Sequence, residues 1–201
     1  MFKKSFIYFH PAIYEVGIKV LYLDALKILK DIVGKHKTVL EPASGYGRNQ
    51  KFLYPSCVYS GFDLNKSFVK YARKKGRNVF LGDIFEERNF KEVDVILLCD
   101  ILHHLSDDKI KKLLILATKY AKEKIVIVEP QFVKIASKKN VFSRLFAKIF
   151  SIVDYDGFNK IENWLSEKEY YDLFRELRIE NKISDIKIRK FRKHFFVQMI
   201  K

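Results

Sequence analysis

Five short apolar runs punctuate residues 37–130, and the segments between them have helical spacing. The runs are Lys37–Pro42 (KTVLEP), Cys57–Asp63 (CVYSGFD), Arg77–Asp83 (RNVFLGD), Val93–Asp100 (VDVILLCD) and Lys124–Pro130 (KIVIVEP). Several are apolar on consecutive residues, the pattern of strands covered on both faces. Between them, Asn65–Gly76 and Ser106–Glu123 carry apolar residues at helical intervals, with Asn65 and Ser106 placed as N-caps and Gly76 as a stop. Strands that alternate with helices on short connections pair in parallel. Further on, LSEKEYYDLFRELRI predicts a helix after a Ser166 cap. Ile186 and Ile188, then Phe196, Val197 and Met199, mark two closing strands joined by a tight turn near Arg192 to His194, which makes that pair antiparallel. The expected fold is a three-layer α/β sandwich whose seven-stranded sheet is mostly parallel and ends in an antiparallel hairpin.

A chain of 201 residues that is 48% hydrophobic can bury one substantial core, so residues 1–201 are expected to form a single domain. Within it, residues 1–34 are read as a helical cover and residues 131–160 as a lid insertion. Cys57 and Cys99 lie in strand-like runs and are too few for a secreted disulfide framework. Read as buried and reduced, they place the protein in the cytoplasm. Near the N-terminus, charges interrupt the apolar residues before the roughly 18 that a spanning helix needs, so neither a signal peptide nor a membrane helix is expected. The formal charge of +15 is spread over both halves of the chain. Such a surface attracts nucleic acid, anionic lipid or phosphorylated substrates.

The first run leads directly into a glycine turn, Thr38–Asn49 (TVLEPASGYGRN). No Lys-Ser/Thr stands where a nucleoside-triphosphate loop requires it. A dinucleotide fingerprint would put its third small residue at Gln50, which is too large for close packing of helix on strand. The carboxylates separate the remaining options. Glu41, Asp63, Asp83 and Asp100 close the first four predicted strands, at the edge where open parallel sheets bind ligands. Four carboxylates would repel a pyrophosphate, each like-charge contact costing on the order of a few kcal/mol in a partly desolvated cleft. They suit a ligand with hydroxyls, amines and a positive centre.

On these residues the chain resembles the class I S-adenosylmethionine-dependent methyltransferases, small-molecule type, with the motif match running over residues 37–130. The resemblance implies a Rossmann-like sheet and S-adenosylmethionine as cofactor. EPASGYG stands where the family has an acid followed by G-x-G-x-G, with Ala43 in place of the first glycine. Glu41 is then expected to orient the methionine portion, while Ala43, Gly45 and Gly47 let main chain approach the ligand, provided Ala43 keeps a negative φ. By the same resemblance, Asp63 would hold the ribose hydroxyls and Asp83 the adenine amino group. Leu64 and Ile84 would pack on the ring, and Asp100 with the LLCDILHHL segment would face the methyl donor.

Methyl transfer from a sulfonium needs alignment and exclusion of water, and a hydroxyl acceptor gains from a general base. His103 and His104, just after the fourth strand, are the candidates for that base or for positioning the acceptor. The resemblance assigns acceptor choice to the lid. Between Val133 and Lys148 it holds five Lys or Arg and no acid, and through Val153 its apolar residues have helical spacing. The segment therefore covers the substrate pocket or, on the second reading, lies on an anionic membrane and makes the protein membrane-peripheral. The expected activity is O-methylation of a small-molecule acceptor: a metabolite, a sugar or a lipid-linked intermediate. RNA methylation is an alternative, motivated by the charge and by KIRKFRKHFF, and a non-catalytic methyltransferase fold is another. No metal-ligand spacing is present and no obligate protein partner is inferred.

Overall fold

A computed structural model describes residues 25–130, 167–180, 183–191 and 194–201. The expected lid at 131–160, Ser166 and most of the expected N-terminal cover lie outside the described residues.

Seven strands form one sheet: β1 (Thr38–Pro42), β2 (Val58–Asp63), β3 (Val79–Leu81), β4 (Val93–Cys99), β5 (Ala121–Pro130), β6 (Asp185–Phe191) and β7 (His194–Ile200), in the order β3-β2-β1-β4-β5-β7-β6. The first five pair in parallel, and β7 runs antiparallel between β5 and β6. Phe191 pairs with His194, so His194 belongs to the strand and not to the connection expected there. On one side of β1 the sheet continues to β2 and on the other to β4. The strand order thus reverses at β1 and β4, and their C-terminal ends border the crevice that such a reversal opens.

Consecutive apolar residues serve two cores. In β4, Ile96 and Leu98 join one cluster while Val95, Leu97 and Cys99 join the other, and β5 divides Ile125 and Ile127 from Val126 and Val128 in the same way. This is the period of two that sends successive side chains to opposite faces. Two helices, α1 (Leu29–Val33) and α2 (Lys66–Lys74), cover the Val95 face through Leu29, Ile32, Val33, Phe68, Val69 and Ala72. Two more, α3 (Asp107–Tyr120) and α4 (Glu167–Glu180), cover the other. There α3 buries Ile110, Leu113, Leu114 and Ala117 at three- and four-residue intervals, and α4 adds Tyr170 and Phe174. The aromatics of the closing hairpin are spent on these cores, with Phe196 buried and Phe191 and Phe195 packed against them.

Asn65 caps α2 as expected, its Oδ1 accepting from the N–H groups of Ser67 and Phe68 at 2.9 and 3.4 Å. Gly76 follows the helix with φ +69°, a left-handed stop that a side chain resists. Ser106 occupies the N-cap position of α3, but its hydroxyl makes no cap bond. Cys99 is buried, whereas Cys57 precedes β2 and is half-buried, its Sγ donating to the Gly34 carbonyl at 3.2 Å; both are free thiols. Among the described residues no helix is long and apolar enough to cross a membrane.

Phe62 on β2 is fully buried in the core that lies under β1 and β4. Phe62→Ala is expected to cost about 3–5 kcal/mol of unfolding free energy in a urea titration.

Candidate active site

The turn after β1 holds three left-handed residues at alternate positions, Ala43, Gly45 and Gly47, at φ +54°, +57° and +69°. Ala43 therefore departs from the negative φ expected of it. An alanine in this region carries a strain of about 1–2 kcal/mol, because its Cβ crowds the following carbonyl. Gly47 must be glycine for a second reason: a Cβ there would lie 2.7 Å from Cγ2 of Val79. Across from the turn, a Cβ on Gly61 would lie 2.6 Å from Oγ of Ser44. The turn is drawn onto β2 by Ser44 N–H donating to the Phe62 carbonyl at 3.0 Å. Arg77 closes its outer side, donating from Nη1 to the Tyr46 carbonyl and stacking over the Tyr46 ring.

The four acids expected at this edge do different things. Glu41 is 1% exposed, and its oxygens accept from Asn49 Nδ2 at 2.6 Å and from the Tyr59 hydroxyl at 2.5 Å. Burial pushes its carboxyl up to about 7, against the two hydrogen bonds. Glu41 thus anchors the turn from beneath, tying β1 to β2 and to the 3₁₀ turn Arg48–Phe52. Asp63 lies at the end of β2, where Oδ2 accepts from Gly45 N–H at 2.7 Å and Oδ1 from Asn65 N–H at 2.8 Å. Burial raises its carboxyl as well, and the two main-chain bonds oppose this. Asp83 caps the turn after β3 through Phe85 N–H at 2.9 Å. Leu64 is exposed beside Asp63, and Ile84 packs against the α3 core. Asp100, at φ +55°, accepts from Arg48 Nη2 at 2.6 Å, joining the turn after β1 to the end of β4.

A fifth acid completes the edge. Glu129, near the end of β5, is 1% exposed. Its Oε1 accepts from the N–H groups of Ile101 and Leu102 at 2.9 and 2.8 Å, and its Oε2 lies 2.6 Å from Nδ1 of His103. One carboxylate thereby holds the segment leaving β4 and orients the imidazole. A carboxylate only accepts, so the hydrogen of that bond lies on Nδ1. His104 packs on His103, with ring centroids 4.0 Å apart. His194, at the start of β7, is buried near Asp100 and Arg48, and burial lowers its pKa.

The structure brings the turn, Asp63, Asp83, Asp100 and His103 to one edge of the sheet, while Glu41 lies under the turn. Sequence reasoning missed Glu129, Arg48, Asn49 and Tyr59. Glu129 carried a signal, since KIVIVEP ends in the acid pattern of the other strands. The others are recognisable only by what they touch. Among the described residues no group of three His, Cys, Asp or Glu could hold a metal ion.

A mostly parallel sheet in this order, with a glycine turn after β1 and acids at successive strand ends, defines the class I methyltransferase fold. A family model described as an O-methyltransferase domain matches residues 20–175, and the chain belongs to that family. No curated protein matches the sequence. An O-methyltransferase family protein from Burkholderia thailandensis superposes with a TM-score of 0.66 at 16% identity, over 92% of this chain and 56% of the other. Human N-acetylserotonin methyltransferase, crystallised with S-adenosylmethionine, gives 0.59 at 18%, over 82% and 47%. A methyltransferase from Thermotoga maritima described as a possible histamine N-methyltransferase gives 0.66 at 17%, over 96% and 98%. This chain thus spans about half the length of the first two structures and nearly all of the third.

Two outcomes follow from the turn and its anchor. Ala43→Gly exchanges left-handed strain for unfolded-state entropy of about 0.4–1 kcal/mol, so it should be neutral or raise the urea midpoint, whereas the β-branched Ala43→Val should lower it. Glu41 has a folded pKa of about 7 against an ordinary 4.5, so the folded state binds the extra proton between these values. Its stabilising contribution is full below about pH 4.5 and is lost as pH rises through 7, a change of up to about 3 kcal/mol. Glu41→Gln should flatten the stability curve across that window in denaturation series at fixed ionic strength.

Proposed function

We propose that this protein transfers a methyl group from S-adenosylmethionine to a hydroxyl oxygen of a small-molecule acceptor, with His103 as general base. The observation that carries the reading is the Glu129–His103 pair, which sets an imidazole against a buried carboxylate just after β4. When bound, the cofactor supplies a methyl group on a sulfonium, so the new O–C bond forms as the C–S bond breaks and a neutral thioether leaves. His103 Nε2 takes the proton from the attacking hydroxyl, and Glu129, already bonded to Nδ1–H, stabilises the imidazolium that results. Two main-chain bonds from Ile101 and Leu102 keep Glu129 from swinging away. His104 packs against the ring of His103.

The residues present suit this cofactor. Each oxygen of Asp63 has accepted one main-chain N–H, and a carboxylate with about four lone-pair sites can still take a ribose diol. Asp83 has spent only Oδ1 among the described residues, which fits a further bond to an adenine amino group. Phe196 of the closing hairpin is buried and Phe191 and Phe195 pack in part against the cores, which supports a small acceptor over RNA. We read residues 131–160 as the lid that selects a metabolite, sugar or lipid-linked acceptor, with 133–153 as the part that would meet an anionic membrane. The free thiols Cys57 and Cys99 agree with a cytoplasmic setting.

The test begins with calorimetry of S-adenosylmethionine on the whole chain, where absence of binding sinks the reading. Radiolabelled methyl donor with fractionated metabolites then finds the acceptor. On that acceptor, His103→Ala should lower kcat about 10²–10⁴-fold without loss of cofactor binding, and His104→Ala should retain near-normal turnover.

A further inference from the structure

Between Asp63 and Asp83 the chain carries Lys66, Lys70, Arg73, Lys74, Lys75 and Arg77 and no acid. Four of these cations, Lys66, Lys70, Arg73 and Lys74, line a groove of about 470 Å³ between α2 and β3, and the rest of its lining is aliphatic, Val69 and Leu81. All four are exposed, and among the described residues none makes an ion pair, whereas Lys37, Lys111, Lys119 and Lys122 elsewhere do. Arg73 is fixed at the strand by Nε donating to the Val79 carbonyl at 3.1 Å. Leu81 is 46% exposed, and β3 ends the sheet, so its outer edge meets no other strand among the described residues. The helix is laid out against its own electrostatics. Lys66, Lys70 and Lys74 are like-charge neighbours at four-residue intervals, and Lys66 stands in a first turn that holds no acid. An anionic partner removes that repulsion.

We infer that this groove docks an acidic, extended peptide segment of another protein, with its carboxylates on the lysine row and an apolar side chain on Val69 and Leu81. Residues four apart on a helix are separated by about 6 Å along its axis, so Lys66, Lys70 and Lys74 form a row about 12 Å long. An extended chain repeats its side chains on one face every second residue, at about 6.6–6.8 Å. Glu or Asp at alternate positions therefore keeps step with the row, and the flexible lysine stems take up the small difference. Shape and lining favour a peptide over the other polyanions that a basic surface attracts. A membrane is flat and this site is concave; single-stranded RNA stacks its bases on aromatic rings, and none lines the groove. The edge of β3 lies alongside, and an extended segment is the form of chain that a sheet edge accepts. None of the lining residues belongs to the glycine turn or to the groups placed around the cofactor.

The test is fluorescence anisotropy on the whole chain at low salt, with a labelled peptide in which Glu alternates with Leu as the probe. Lys70→Glu combined with Lys74→Glu should weaken binding at least about tenfold. Lys109→Glu combined with Lys187→Glu makes the same change of net charge at exposed sites elsewhere, and should weaken it by no more than about twofold. A peptide in which Glu alternates with Gly should bind about tenfold more weakly than the first, because it brings nothing to Val69 and Leu81. Should the Lys70 and Lys74 glutamate variant lose its circular dichroism, Lys70→Gln with Lys74→Gln decides the matter by a loss of about threefold or more. Calorimetry of S-adenosylmethionine should be unchanged in the Lys70 and Lys74 variants. Absence of binding by the wild type, or equal losses in the two lysine pairs, overturns the inference. Tighter binding of a single-stranded RNA oligomer or of phosphatidylserine vesicles, lost with Lys70 and Lys74, overturns it as well, since the groove would then serve a phosphate polyanion.

Discussion

The parallel pairing of β1 with β4, at Val39 with Val95 and Leu40 with Ile96, is the constraint on which the rest of this protein depends. It puts β2 on one side of β1 and β5 beyond β4, so the segments leaving β1 and β4 flank a single crevice. Much of the chemistry at this edge is delivered by those segments or held against them. The glycine turn leaves β1, and His103 leaves β4 under the hold of Glu129 from the neighbouring β5. Both cores contribute, because apolar residues on opposite faces of β4 and β5 clamp the central strands from two sides.

Electrostatics then differentiates four acids that look alike as strand ends. Glu41 is enclosed and holds a proton up to about neutral pH, which makes it a structural anchor under the turn. Asp63 is held by two main-chain N–H groups, one from the glycine turn and one from the residue that caps α2. Asp100 is neutralised by Arg48, and Glu129 is committed to two N–H groups and an imidazole. Burial and partners, not residue type, assign these roles. Four equal negative charges at one edge would be unstable; an enclosed acid, an ion pair and a carboxylate–imidazole pair remove much of that repulsion.

Much of the fold was legible in the residues. A period of two in the apolar runs and of three to four between them is a local signal, and it located β1 to β5, α2 and α3 within a few residues. Asn65 was legible as a cap because a cap bond is made within three residues. Ala43 was visible as a departure from a glycine pattern, but its sign of φ was not, since an alanine has no local need to be left-handed. The insertion of β7 between β5 and β6 was also hidden, because an antiparallel hairpin can join a sheet by either of its strands.

By itself, then, the sequence determined an alternating α/β chain with a glycine turn after its first strand and acids at its strand ends, because these depend on neighbours a few residues apart. Only the tertiary structure decided what those acids do. Glu41 meets Tyr59 across two strands, Arg48 meets Asp100 across 52 residues, and Glu129 meets His103 across 26. Each contact is set by strand order and register. A hydrogen bond of less than 3 Å between distant residues leaves no periodic trace along the chain, so the partners become known only when the sheet brings them together.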